Sequence, residues 1–105
     1  MTGRDPELTA DVELRDALYQ LQVYEALAVA TNDAHGALDA ILGASDSESG
    51  RRALEERFGF TEMQATAVLD LQFRRVTEID RQKIEQRRQE LCDRVLLLEA
   101  ELGGS

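Results

Sequence analysis

The chain has 105 residues, 43% hydrophobic and 31% charged, with a formal net charge of −9. That acidic balance excludes strong direct nucleic-acid binding, because phosphate neutralisation requires a basic surface, though a local basic patch stays compatible with it. No apolar run approaches the ~20 residues that span a bilayer. Met1-Thr-Gly-Arg-Asp-Pro-Glu lacks the apolar core of a secretion signal, and the lone Cys92 gives no internal disulfide framework and suits a cytoplasmic protein.

Five helices and no strand are expected, in one domain over residues 1–105. The first helix begins at about Asp5 or Thr9 and runs to Thr31. Asp5 is placed to cap it, with Pro6 in the first turn, where a missing N–H costs nothing. Leu14, Ala17, Leu21, Tyr24 and Ala28 recur at coiled-coil spacing, and Leu18 and Leu27 widen the stripe. Asn32 or Asp33 caps a second helix ending at Gly43, with Ala34, Ala37, Leu38, Ile41 and Leu42 as its buried face. Residues 44–50 form a polar loop. A third helix, about Arg51 to Phe58, stops at Gly59, which tolerates the left-handed conformation. Thr61 and Gln64 then have the spacing of a capping box.

The fourth helix is apolar over most of its circumference. At about 100° per residue, Met63, Ala67, Val68 and Leu71 cover one side. Ala65, Leu69, Phe73 and Val76 cover another, provided that the helix persists that far. A surface helix normally shows one apolar face, so a second packing partner is indicated. Met63, Ala67, Leu69, Leu71, Phe73 and Val76 are accordingly the expected dimer interface. In the alternative, helices one and five sandwich this helix inside a monomer.

Thr77 opens the last helix, with Glu78 and Asp80 favouring the positive end of its dipole. It runs to about Leu102, before Gly103 and Gly104. Ile84, Leu91, Val95, Leu98 and Leu102 repeat at coiled-coil spacing. Residues 5–31 and 77–102 therefore read as an antiparallel two-helix coiled-coil arm, with a helical globule over 32–76 at its tip. Leu14, Leu21, Tyr24, Ile84, Leu91, Val95 and Leu98 form the seam.

Chemistry-bearing residues are sparse. Tyr24 packs in the seam. Cys92, beside Leu91 and with no histidine nearby, reads as an inert half-buried thiol. His35 is the only histidine, so an imidazole metal site has no support, and it reads as a surface residue of the second helix. No catalytic, metal or cofactor site is expected. Arg74, Arg75, Arg81, Lys83, Arg87 and Arg88 make the most basic stretch. It would either touch DNA or pair with Glu7, Asp11, Glu13, Asp16 and Glu25 of the first helix, and pairing is the expectation.

The stretch from Ala53 to Thr77, ALEERFGFTEMQATAVLDLQFRRVT, resembles the A subunit of bacterial DNA gyrase and topoisomerase IV, the type IIA topoisomerases. A phenylalanine-glycine turn, a Gln-Ala helix and a Leu-Asp run ending near a threonine precede a long helix in that family. Asp80-Arg-Gln-Lys-Ile-Glu continues the likeness, and Tyr24-Glu-Ala-Leu-Ala-Val-Ala and His35-Gly-Ala-Leu-Asp-Ala-Ile resemble the helices upstream. The resemblance covers roughly residues 14 to 102 and implies the family's exit gate. There a coiled-coil arm ends in a globule that pairs with its twofold mate and opens to release DNA.

Neither Tyr19 nor Tyr24 matches the family's DNA-cleaving tyrosine. No residues correspond to its winged-helix, tower or DNA-wrapping domains. The resemblance therefore implies a non-enzymatic homodimer, able to modulate gyrase by forming a heterodimer with its full-length A subunit. The alternatives are one piece of a split topoisomerase, or a generic helical adaptor.

Overall fold

A computed structural model describes residues 6–103. Asp5, Gly104 and the Glu7 side chain lie outside that description. The architecture is all-α: α1 spans Pro6–Asn32, α2 Ala34–Leu42, α3 Ser47–Phe58, α4 Glu62–Leu69 and α5 Glu78–Gly103, with a 3-10 turn at Phe73–Val76. No strand occurs among the described residues.

Local chemistry sets most of the boundaries. Asp33, not Asn32, caps α2, and its carboxylate accepts from the Gly36 N–H at 3.1 Å. A Cβ at Gly36 would stand 2.4 Å from that carboxylate, so a larger residue there would require the Asp33 side chain to shift. Thr61 and Gln64 form the capping box at the start of α4, with bonds of 3.2 and 3.0 Å. Gly59 ends α3 at φ 74°, a left-handed conformation that costs a residue with a Cβ about 1–2 kcal/mol. Phe58 and Phe60 stack across that stop with ring centroids 5.1 Å apart. Thr77 precedes α5, and its hydroxyl accepts from the Asp80 N–H at 3.4 Å.

Two boundaries depart from the sequence reading. Helix α3 starts at Ser47, four residues before Arg51, because the Asp46 carboxylate accepts from the Ser49 N–H at 2.8 Å. Much of the expected polar loop is thus the first turn of a helix. Helix α4 stops at Leu69 and does not reach Val76. Its last bonds run from Asp70 N–H to Thr66 O and from Leu71 N–H to Val68 O, at 3.1 and 3.0 Å. Gln72 is extended, and the 3-10 turn follows. Leu71 packs against the core here, and the chain must reverse so that α5 can return along α1.

Helices α1 and α5 run antiparallel. Arg94 meets Glu13 at 3.4 Å, and Arg87 donates to the Gln20 Oε1 at 3.2 Å, so partner numbers fall on one helix as they rise on the other. Of the expected seam, Ile84, Leu91, Val95 and Leu98 are buried, and Leu14, Leu21 and Tyr24 are half-buried. Ala17, Val95 and Leu98 form a small cluster along the pair. The larger core joins Ala26, Leu27, Ala28 and Ala30 of α1 to Ala37, Leu54, Ala65, Val68 and Ile84. Helix α4 lies between α1 and α3, not between α1 and α5. Arg51 pairs with Glu55 within α3 and approaches Glu62 of α4 at 3.9 Å. The described residues extend over 54 × 29 × 24 Å.

Two measurements test these packing and capping assignments. Leu54 is fully enclosed, so Leu54→Ala should lower folding stability by about 2–5 kcal/mol in urea denaturation. The Asp46 carboxyl is held below the usual carboxylate range, chiefly by the Ser49 backbone N–H and then by the Ser49 hydroxyl and Arg52. A depressed folded-state value means that the ionised cap stabilises above the unfolded value and loses this effect as pH falls through the folded one. Wild type should therefore lose stability relative to Asp46→Asn as pH drops below about 4. A stability difference between the two that is independent of pH would contradict that account.

Candidate protein–protein interface

The residues expected at a dimer interface fall on two separate surfaces. Leu69, Leu71, Phe73 and Val76 line a groove of about 340 Å³. Met63 and Ala67 line a different hollow, against Tyr19 and Val23 of α1. Met63 and Ala67 lie on one face of α4 and Leu69 on another, and the turn at residues 70–72 takes Leu71 from the first set to join Phe73 and Val76 at the groove.

The groove is apolar on both sides. Ala34, Ala37, Leu38 and Ile41 of α2 form one wall, with Ala30 and Val68 at its floor. Phe73 stands at the other wall and is 81% exposed, the highest value among the large hydrophobic side chains described. Leu38 and Leu42, expected in the buried face of α2, are 39% and 73% exposed. An amphipathic pattern marks a face that seeks apolar company, but it does not say that the company lies in the same chain. Exposed leucines scattered singly are ordinary, whereas Leu38, Leu42 and Phe73 add exposed apolar surface beside one groove.

Charge is segregated around this region. Among the described residues none of the expected ion pairs joins the basic stretch to acidic α1, although the charge of Glu25 acts on Arg88. Arg87 pairs with Glu90 at 3.4 Å and Arg88 with Glu85 at 2.6 Å, both within α5. The Arg88 hydrogen bond holds the Glu85 carboxyl below its usual range and raises the Arg88 guanidinium in turn. Arg74 donates to the Gln72 side chain at 2.8 Å. Arg75, Arg81 and Lys83 have no ion pair among the described residues. The α1 acids look elsewhere: Glu13 to Arg94, and Asp11 to Arg15 at 3.0 Å. Arg74 and Arg75 line a different hollow, with Val23, Tyr24, Leu27 and Asp70, and neither lines the groove.

His35 is exposed in the first turn of α2 and also borders the groove, and Cys92 is half-buried. Tyr24 is half-buried against the core. No group of three or more metal-ligating side chains occurs among the described residues. None of the described helices is long and apolar enough to cross a membrane. The arrangement is suited to holding another surface. The α2 wall of the groove is the element that periodicity alone assigned to the core.

No protein-family model matches the chain. It is 33% identical over 87 residues to the DNA gyrase A subunit of Campylobacter jejuni, covering 83% of the chain and 10% of that relative. It is 36% identical over 72 residues to its counterpart in Dehalogenimonas lykanthroporepellens, covering 69% of the chain and 9% of the relative. With that of Halalkalibacterium halodurans the identity is 34% over 91 residues, 87% of the chain and 11% of the relative. The chain thus spans about a tenth of the length of the curated relatives it matches.

Proposed function

Starting from a chain related in sequence to one segment of the DNA gyrase A subunit, we propose a non-catalytic dimerisation module of the exit-gate kind. Two copies of the globule pair through the groove between α2 and the 3-10 turn, about a twofold axis. The observation that carries this reading is Phe73, 81% exposed at the lip of an apolar groove and placed to enter the same groove of a second copy. An isologous contact of that form needs one patch bearing both the projecting ring and the recess, and the tip of this globule bears both. The α1–α5 pair acts as a coiled-coil stalk behind it.

The module works in the cytoplasm on gyrase itself, by exchanging into the gate of the full-length protein to form a heterodimer. A net charge of −9 supports a protein partner over strong direct contact with DNA. The chemistry of strand cleavage stays with the full-length protein, since Tyr19 and Tyr24 both lie within α1, away from the groove.

Phe73→Arg tests the pairing without touching the core. A central aromatic anchor is worth at least about 2 kcal/mol, so the variant should weaken self-association about thirtyfold or more in sedimentation equilibrium, with its helical circular dichroism unchanged. Leu71→Arg would also break the dimer, but Leu71 packs against the core, so its loss of pairing would be mixed with unfolding. A folded Phe73→Arg protein as dimeric as wild type would remove the groove from the interface. Added to a supercoiling reaction, wild type in large excess should lower gyrase turnover, and Phe73→Arg should not. No effect of wild type, together with no co-purification with gyrase, would leave self-association without this target.

A further inference from the structure

Helix α1 carries a second apolar stripe, on a different face from its α5 seam. Val12, Tyr19, Val23, Ala26 and Ala30 recur at spacings of seven, four, three and four residues. At about 100° per residue, Tyr19 stands about 200° round the helix from Ala17 of the seam. The two ends of the stripe differ. Ala26 and Ala30 are 1% and 2% exposed in the core, whereas Tyr19 and Val12 are 59% and 48% exposed.

What covers the stripe near the globule is a helix. Gln64 of α4 donates its side-chain amide to the Gln22 carbonyl at 2.9 Å, and Met63 and Ala67 of α4 flank Tyr19 and Val23 in a trough of about 480 Å³. With eight residues, α4 is only about 12 Å long, so the stripe outruns it. Glu62 and Asp70 line the trough, whereas Asp16 of α1 lines a separate hollow with Arg87 and Arg94. Asp70 has no ion pair among the described residues, and Glu62 has only the 3.9 Å approach of Arg51. The seat is apolar with a carboxylate rim.

We propose that this trough receives a helix from another protein, laid along α1 in line with α4. That helix carries apolar residues at i, i+4 and i+7, flanked by lysine or arginine. The helical form follows from the occupied half of the stripe, where a helix already sits. The basic flanks follow from the carboxylates. A second copy of this chain fits poorly: its outward leucines on α5, Leu96 and Leu97, stand in sequence among Asp93, Arg94, Glu99 and Glu101, three carboxylates to one guanidinium, and Arg94 is paired with Glu13. The surface is separate from the self-association groove, and the chain can hold both partners at once.

The test uses the full chain and a fluorescein-labelled helical peptide with leucines at i, i+4 and i+7 and flanking lysines. The same peptide with glutamate for lysine is the control. The lysine peptide should bind saturably and more weakly as salt is raised. Affinity should fall at least about tenfold for the glutamate peptide, for Tyr19→Lys and for Val12→Lys, while Phe73→Arg leaves it unchanged. Both stripe positions are exposed, so circular dichroism should show these variants folded. No binding by wild type, or equal binding by wild type and a folded Tyr19→Lys, overturns the assignment. Sedimentation of the same variants reads self-association separately, so one reading can fail without the other.

Discussion

Close approach of helices over alanine on α1 is the contact on which the remaining structure depends. Ala26, Ala28 and Ala30 are all buried, and they meet Ala37 and Ala65 from α2 and α4 in one cluster. Small side chains let backbones come near, but each supplies little apolar area, and stabilisation scales with area removed from water. The larger contributions come from the few bulky side chains wholly enclosed, Leu54, Ile84 and Leu91. Leu54 holds α3 to the cluster, and Ile84 ties α5 to it, so the globule and the long pair share one core.

A core of that kind leaves apolar surface over. Helix α1 must serve α5 along one face and the globule along another, and the globule helices are too short to cover the second face entirely. The same shortage appears at the tip, where α2 presents Leu38 and Leu42 outward and the 3-10 turn presents Phe73. These two leftovers differ in charge. The trough at Tyr19 is lined by Glu62 and Asp70, whereas no arginine, lysine or carboxylate lines the groove at Phe73. The proposed self-association uses the groove, and the proposed basic helix uses the trough.

Where a structural feature is decided by neighbours in sequence, it was legible in the chain. Thr61 with Gln64, Asp33 and Gly59 each act within four residues of the boundary that they set. The rise of partner numbers on α5 as they fall on α1 follows from two long helices joined by a compact insert. Asp46 and Ser49 were hidden because residues that cap helices also populate loops. The end of α4 was hidden for a different reason. Asp70, Leu71 and Gln72 are all compatible with a helix, and only the packing of Leu71 and the return of α5 stop it there. That turn also takes Leu71 from the face of Met63 and Ala67 to the groove. Periodicity on α2 showed which face is apolar but not whether the chain itself covers it. The second stripe on α1 was equally open to counting, since Val12, Tyr19 and Val23 keep heptad spacing, but the leucines of the seam give a stronger repeat on the same helix.

The proposed pairing of the globule runs through the groove beneath Phe73. Amide chemical shifts followed over a dilution series test it most directly, because they report which residues change environment as copies separate. The account predicts concentration-dependent shifts at Leu38, Ile41, Phe73 and Val76, with Val12 and Tyr19 steady. Shifts confined to α1, or none anywhere up to millimolar concentration, would contradict it.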